Sequence, residues 1–409
     1  MSLRSTPLDL WCARCLGEGA PLAGRAALEA FQKERLRALV ARAAQDSPLY
    51  ASRLRGREGA PLEELPFTYP SDLAGREGDF LTVSQSEVAR IVTLATSGST
   101  GPPKRLCFTY ADLAATREFF RVGLTAFTPP GSRVTVLFRG DRPGSVGALL
   151  REALGELGCA VEVGGVGEDP RKTAARIDAF NPRVVVGMPE ALLRVARVAC
   201  HVPEAVLASG DMFPPALRRR IARLWPGEIF DHYGLTAVGW GMALECGAHE
   251  GGHLREGEVL TEVVSPGGHP VPSGSWGEVV ITTLTRPTFP LIRYRTGDEG
   301  RLIPGPCPCG SPLRRLEVRG RLGTAEAPGL YDVAEILWGV RDIRDFRVGR
   351  EGPSRRVVLE LEMEQGGVLP EEIRSALSLL KGEWSEAEIR PVPGPRPEPR
   401  PLKRGWETF

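Results

Sequence analysis

Thr93-Leu-Ala-Thr-Ser-Gly-Ser-Thr-Gly-Pro-Pro-Lys104 puts two glycines, a cluster of hydroxyl side chains and a lysine directly after the apolar run 91–95. Such a turn suits an anion with several oxygens. Gly98 and Gly101 let backbone N–H groups converge without an obstructing Cβ, Thr96, Ser97, Ser99 and Thr100 add hydroxyl donors, and Lys104 adds positive charge. It is not the G-x-x-x-x-G-K-[ST] loop, because the glycine spacing differs and no hydroxyl residue follows the lysine. The competing interpretation is a flexible surface turn, which the strand before it and the lysine after it disfavour.

Working outward, residues 91–95, 132–138 and 183–187 each form an apolar run that predicts a buried strand, with helix-like segments between them. That alternation predicts βαβ units and a largely parallel sheet. Upstream, Leu28, Phe31, Leu36, Leu39, Val40 and Ala43 recur at helical spacing until Asp46-Ser-Pro48 stops the helix. Beyond Gly251, short strands such as 258–264 and 277–283 predict a β-rich subdomain over about 251–319. Residues 355–364 alternate like a strand and 371–381 like a helix, ahead of the proline-rich stretch 391–401. The expected fold is therefore α/β. A large N-terminal domain, 1–319, is followed by a small C-terminal α+β domain, 320–409.

Composition narrows the function classes. The chain has 409 residues, 42% hydrophobic and 25% charged, enough for a sizeable core in two or three domains. Its 52 basic and 51 acidic residues nearly cancel, so charge points to neither nucleic acid nor an anionic membrane as the main partner. No apolar run approaches the roughly 20 residues of a spanning helix, and residues 1–20 lack the features of a signal peptide, so a cytoplasmic location is expected. No Gly-x-Ser-x-Gly elbow argues for a serine hydrolase.

Several ordered motifs together resemble the acyl-adenylate-forming enzymes, the superfamily of acyl-CoA synthetases, luciferases and peptide-synthetase adenylation domains. Thr96–Lys104 is similar to their phosphate loop, Asp231-His-Tyr-Gly-Leu-Thr236 to their aromatic-Gly-x-Thr segment, and Arg293-Tyr-Arg-Thr-Gly-Asp298 to their Tyr-Arg-Thr-Gly-Asp segment. Arg319-Gly-Arg321 resembles the segment before the interdomain hinge, and Ser209-Gly-Asp211 the adenine-side turn. The opening residues, Phe31-Gln-Lys-Glu-Arg-Leu-Arg-Ala-Leu-Val40, Ser47-Pro-Leu-Tyr50 and Leu65-Pro-Phe-Thr68, resemble the phenylacetate-CoA ligase branch. The resemblance spans residues 25–325 and fades beyond them.

The resemblance implies ATP-dependent activation of a small carboxylic acid as acyl-AMP, followed by thioester formation with coenzyme A. Tyr233 and Gly234 would lie against adenine, Thr236 would reach the phosphate, and Asp298 and Arg321 would hold the ribose. Lys403, in Pro401-Leu-Lys-Arg404, would bridge ribose and reacting carboxylate from a mobile small domain; an ordinary solvated lysine is the alternative. Phe138, 185–188 and 240–242 would approach the acid, and their apolar and aromatic character favours an aryl or arylacetic substrate. The resemblance also admits a homodimer.

Two departures stand out. Ala237 replaces the glutamate that assists Mg²⁺ in these enzymes; Mg²⁺ can be held largely by phosphates and water, and Glu245 is a candidate substitute. The acidic hinge pair and glycine-rich return strand are replaced by Leu322-Gly-Thr-Ala-Glu-Ala-Pro-Gly-Leu330. Adenylation is thus better supported than transfer to coenzyme A, and a non-catalytic ATP or AMP sensor, or an adenylating enzyme without coenzyme A, remains a second expectation.

Of eight cysteines, Cys246, Cys307 and Cys309 could join His249 in a tetrahedral Zn²⁺ site, with His253 as the alternative imidazole. Cys12 and Cys15 share Cys-x-x-Cys spacing but have no partner nearby in sequence. Cys107, Cys159 and Cys200 sit among apolar residues, as packing cysteines do.

Overall fold

The computed structural model describes residues 5–17, 22, 24–94, 104–165, 167–323, 329–352, 356–363, 370–378, 380, 383–393 and 407–408. Thr96, Ser97, Gly98, Ser99, Thr100, Gly101 and Lys403 lie outside them. Among the described residues, eleven strands form one mixed sheet. Its parallel half runs, from the outer edge inward, through Ala160–Val163, Arg133–Leu137, Val184–Gly187, Ala205–Ser209 and Glu228–Tyr233. Val184–Gly187 is buried throughout, as expected of an inner parallel strand made of β-branched residues. Helices Val146–Glu156, Pro170–Phe180, Pro189–Ala196 and Pro215–Leu224 connect these strands. Three of them carry proline in the first turn, where no N–H partner is lost. Pro170–Phe180 is capped by Asp169 and closed by Asn181 in the left-handed region.

The sheet continues without a break into the β-rich stretch. Tyr233 and its neighbour pair antiparallel with Ala243–Glu245, which pairs with Gly252–Leu254, which pairs with Arg315–Arg321. Tyr294–Ile303, Gly277–Thr283 and Val259–Val264 complete it. The Arg315–Arg321 strand crosses residue 319, so the sheet itself ends slightly beyond the expected domain limit.

One expected strand has a different role. Arg90–Leu94 is no buried parallel strand; it pairs antiparallel with Lys104–Phe108 as a two-stranded sheet, and Ile91 is 53% exposed. Only nine positions separate Leu94 and Lys104. That is too few for a parallel crossover, so the hairpin is the arrangement open to this run.

At the N-terminus, Arg25–Asp46 forms the expected helix, and Ser47 caps the following Pro48–Arg53 helix through Tyr50 N–H. Tyr50 is fully buried. Its hydroxyl lies 2.8 Å from Thr68 Oγ1 and accepts from Ile292 N–H at 3.0 Å, tying two of the three opening motifs, residues 47–50 and 65–68, to the segment before Tyr294.

The C-terminal residues build a four-stranded sheet, ordered Glu388–Pro393, Arg356–Met363, Ile343–Glu351, Glu407–Thr408, with helices Tyr331–Gly339 and Pro370–Leu377. Val333, Leu337, Trp338 and Phe346 share an apolar core with Leu217 and Ile221 of the main body. Arg194 pairs with Asp345 at 2.8 Å, and Arg220 donates to the carbonyls of Val340 and Ile343. No helix among the described residues is long and apolar enough to cross a membrane.

Removing the Tyr50 hydroxyl should cost about 1–2 kcal/mol, because a buried donor–acceptor chain is broken with little change of volume. Tyr50→Phe should lower the thermal denaturation midpoint and leave nucleotide affinity unchanged.

Candidate active site

The carboxyl ends of the parallel strands and the antiparallel half of the sheet meet at Tyr233, Asp298 and Arg321. Tyr233 ends its strand, and the chain turns at once through Gly234. A Cβ there would lie 1.9 Å from the Trp240 carbonyl oxygen, so the turn admits only glycine. The Tyr233 hydroxyl donates to Asp298 Oδ2 at 2.5 Å. Burial, reinforced by that carboxylate, raises the phenol well above its usual pKa of 10.0. Arg321 stands opposite Asp298 in the strand register; its Nε is 3.3 Å from Asp298 Oδ1 and its Nη1 donates to Thr296 O at 2.6 Å.

Lys104, the described end of the hydroxyl-glycine turn, belongs to the same region. Burial first, and the nearby Arg321 charge second, lower its ammonium pKa below 10.5. Asp298 is thus faced by a cation, Arg321, and Arg321 in turn by a second, Lys104. An anionic ligand relieves repulsion of that kind.

Beside this cluster lies a cavity of about 230 Å³. The expected residues Phe138, Val186, Met188 and Trp240 line it, together with Ser209, Gly210, Gly234 and Thr236. Val185 points instead into the core behind the sheet, and Met242 into a separate core. Most of the remaining wall was not anticipated. Phe119, Phe120, Gly123 and Leu124 come from helix Tyr110–Leu124, and Phe127 follows it. Their helical spacing signals only burial, and core and cavity wall share that pattern.

His232 also lines the cavity. Its Nδ1 lies 2.8 Å from Ser209 Oγ, while Nε2 is shielded from water and has no hydrogen-bond partner in the described structure. Burial lowers its pKa from 6.5 to about 4, so the ring is neutral at pH 7. Gly210 adopts φ +91, and Asp211 Oδ1 accepts from Met212 N–H at 2.8 Å, shaping the turn after Ala205–Ser209.

A second centre gathers Cys246, His253, Cys307 and Cys309, whose ligand atoms all lie within 4.8 Å of one another. Cys246 Sγ is 3.6 Å from Cys307 Sγ, and Cys309 Sγ is 3.3 Å from His253 Nε2. Zinc bonds of about 2.3 Å to sulfur and about 2.0 Å to nitrogen in a tetrahedron require ligand separations of about 3.5–3.8 Å, so the donor set and spacing fit zinc. Burial pushes the Cys246 thiol up to about 12, and a bound cation would reverse that preference.

The imidazole is His253, which corrects the expectation of His249. Leu244 and His253 are register partners, so strand pairing delivers His253 beside Cys246. His249 turns away with φ 52, its Nδ1 3.3 Å from Glu245 Oε2 and its ring 4.9 Å from Phe230. Glu245 is likewise committed elsewhere: it pairs with Arg218 and accepts from Asp231 N–H at 2.9 Å, which removes it as a substitute Mg²⁺ ligand. Asp231 is pushed up to about 7, by burial first and by the Glu245 charge second.

No protein-family model matches the chain. It is 33% identical to phenylacetate-coenzyme A ligase of Thermus thermophilus over 321 residues, covering 71% of this chain and 69% of that protein. Against the enzyme of the same name from Pseudomonas putida, identity is 30% over 318 residues, covering 72% and 71%. The chain belongs to the phenylacetate-coenzyme A ligase family. Solved structures agree on the fold: a 2-hydroxyisobutyryl-CoA ligase in complex with 2-HIB-AMP aligns with a TM-score of 0.74 at 19% identity, over 92% of this chain and 88% of that one. A benzoate CoA ligase from Burkholderia xenovorans aligns with a TM-score of 0.55 at 16% identity, over 73% and 65%.

In this family member the buried His232 should leave a titration signature. Its unfolded ring takes up a proton below about pH 6.5 and the folded ring only near pH 4, so stability is complete above 6.5 and falls as pH drops through that window. His232→Gln should flatten the stability–pH slope there by about one proton, as measured by denaturation from pH 7 to 4. An unchanged slope would mean that the folded ring takes up its proton over the same pH range as the unfolded one.

Proposed function

We propose that the protein uses ATP to convert an aryl or arylacetic acid into its acyl-AMP and then passes the acyl group to coenzyme A. The observation that carries this proposal is the meeting of Tyr233, Asp298, Arg321 and Lys104 beside an aromatic-lined cavity that shares Gly234 and Thr236 with the Tyr233 segment.

A free carboxylate is a poor electrophile, because its carbonyl carbon is electron-rich and its leaving group would be oxide. Attack of one carboxylate oxygen on the α-phosphorus of ATP forms an O–P bond and expels pyrophosphate, leaving AMP as a good leaving group. The thiol of coenzyme A then adds to the acyl carbon and AMP departs. Little covalent work falls to the protein in the first step; alignment and charge neutralisation dominate.

Asp298 would accept from the ribose hydroxyls, with Arg321 paired to its carboxylate. Tyr233 would lie against adenine with Ser209, Gly210 and Asp211 on its far side. Lys104 and the turn containing Thr96, Ser97, Gly98, Ser99, Thr100 and Gly101 would neutralise the departing phosphates, and Thr236 would stand between phosphate and acid. Phe138, Met188 and Trp240 would take the aromatic body of the acid. Mg²⁺ would be held chiefly by the phosphates and water, since Ala237 offers no carboxylate. Lys403 would bridge ribose and carboxylate, carried by residues 320–409 acting as a small domain beside the 1–319 ATP- and acid-binding domain. A structural Zn²⁺ would sit on Cys246, His253, Cys307 and Cys309, where thiolate and imidazole bind it without an open position. We assign the protein to the cytoplasm, where ATP and coenzyme A are both supplied.

Acid-dependent exchange of labelled pyrophosphate into ATP tests the first step, and thioester formation on addition of coenzyme A the second. Exchange should be strongest with arylacetic acids. ATP binding with no exchange across a panel of acids would instead identify a sensor. Asp298→Asn removes a charged hydrogen-bond acceptor worth about 1.5–3 kcal/mol and should weaken ATP by about 10- to 100-fold. Lys403→Ala should abolish exchange while ATP still binds; retained exchange would remove this lysine from the chemistry.

A further inference from the structure

The two halves of the large sheet are joined by little backbone. Between Glu228–Tyr233 and Arg315–Arg321 stand only two three-residue strands, Ala243–Glu245 and Gly252–Leu254. Successive registers across this seam hold two, three and two paired positions. Six positions pair on one flank, between Tyr294–Ile303 and Arg315–Arg321, and five on the other, between Ala205–Ser209 and Glu228–Tyr233. The backbone connection is therefore weakest where the sheet changes from parallel to antiparallel.

The cysteine and histidine cluster sits on that seam. Cys246 directly follows the first short strand, His253 lies within the second, and Cys307 and Cys309 come from the loop joining Tyr294–Ile303 to Arg315–Arg321. The nucleotide groups divide along the same line. Tyr233 ends the last parallel strand, whereas Asp298 and Arg321 belong to the antiparallel strands joined by the Cys307–Cys309 loop. Their 2.5 Å contact spans the seam.

We propose that the Cys246/His253/Cys307/Cys309 centre is a positioning device for the nucleotide site: a zinc ion held there fixes the spacing between Tyr233 on one side of the seam and Asp298 with Arg321 on the other. Four bonds from one ion to three chain segments constrain the two registers they bridge, which link Ala243–Glu245, Gly252–Leu254 and Arg315–Arg321, far more tightly than the five positions paired there. Tyr233 pairs directly with Ala243 of the first segment. None of the four ligands lines the cavity beside Tyr233. Their effect on nucleotide affinity passes through the seam. The inference rests on the proposed nucleotide role of Tyr233 and Asp298, and its test separates the two.

The purified chain should contain one zinc per molecule by atomic emission, and its ATP affinity is measured by calorimetry before and after removal of zinc with a chelator, with circular dichroism to monitor the fold. The stripped chain should keep its secondary structure yet bind ATP at least about tenfold more weakly, recover on adding zinc, and show the same loss in Cys309→Ser. His253→Cys, which preserves four ligands, should retain both zinc and affinity. Coupling is reciprocal, so saturating ATP should tighten zinc by the same factor in competition with a chromogenic chelator, a measurement made on the zinc-loaded protein whether or not the stripped chain stays folded. Equal ATP affinity with and without zinc, or zinc affinity indifferent to ATP, overturns the proposal while leaving the nucleotide site intact. A zinc-loaded chain that binds no ATP overturns the nucleotide role of Tyr233 and Asp298, and this inference with it.

Discussion

The hydrogen bond from Tyr233 to Asp298 joins residues 65 positions apart, on opposite sides of the junction where the sheet changes direction. A phenol donating to a buried carboxylate is among the stronger neutral-to-charged hydrogen bonds, worth about 1.5–3 kcal/mol. It persists only if the sheet halves hold their spacing. Arg321 and Lys104 depend on the same spacing, because each bears on this contact from a different strand. A nucleotide placed here would meet an aromatic ring, a carboxylate and two cations assembled from four distant parts of the chain. The thiolate and imidazole cluster at the junction gives that assembly a mechanical basis.

The acid cavity follows from the same turn. Gly234 brings the backbone against the Trp240 carbonyl, and this close approach folds Thr236 and Trp240 back over the carboxyl ends of the parallel strands. Open α/β sheets bind ligands at that edge because the loops diverge there. Helices Tyr110–Leu124 and Val146–Glu156 close the cavity with aromatic and aliphatic side chains. Neutral His232 and Ser209 supply polarity inside an otherwise apolar wall. Under the proposed function such a site would take a flat apolar body, with its carboxylate emerging toward Thr236 and the nucleotide.

Much of this was legible in the sequence where the signal is local. The helix Arg25–Asp46 follows from periodicity and its stop signal, the inner strand Val184–Gly187 from its apolar run, and the helix expected over 371–381 from periodicity, although it ends earlier, at Leu377. Tyr233, Asp298 and Arg321 could be named together from ordered motifs, and the fold sets them in contact. What could not be read is pairing. The run 91–95 looks like a central strand because apolar residues signal burial but not a partner, and its proximity to Lys104 makes it a hairpin. Cys-x-x-His spacing favoured His249, yet cross-strand register brings His253 to the thiols. Phe119 and Phe120 obey helical spacing equally as core and as cavity wall, so only the tertiary arrangement separates the two roles.

The central claim is that one ATP-derived adenylate spans the Tyr233–Asp298 cluster and the aromatic cavity at once. A crystal structure with a non-hydrolysable arylacetyl-adenylate analogue tests it directly. The account predicts ribose hydroxyls within hydrogen-bond distance of Asp298, with the aryl group enclosed by Phe119, Phe138 and Trp240. Adenosine bound away from Asp298, or an aryl group outside that cavity, would contradict it.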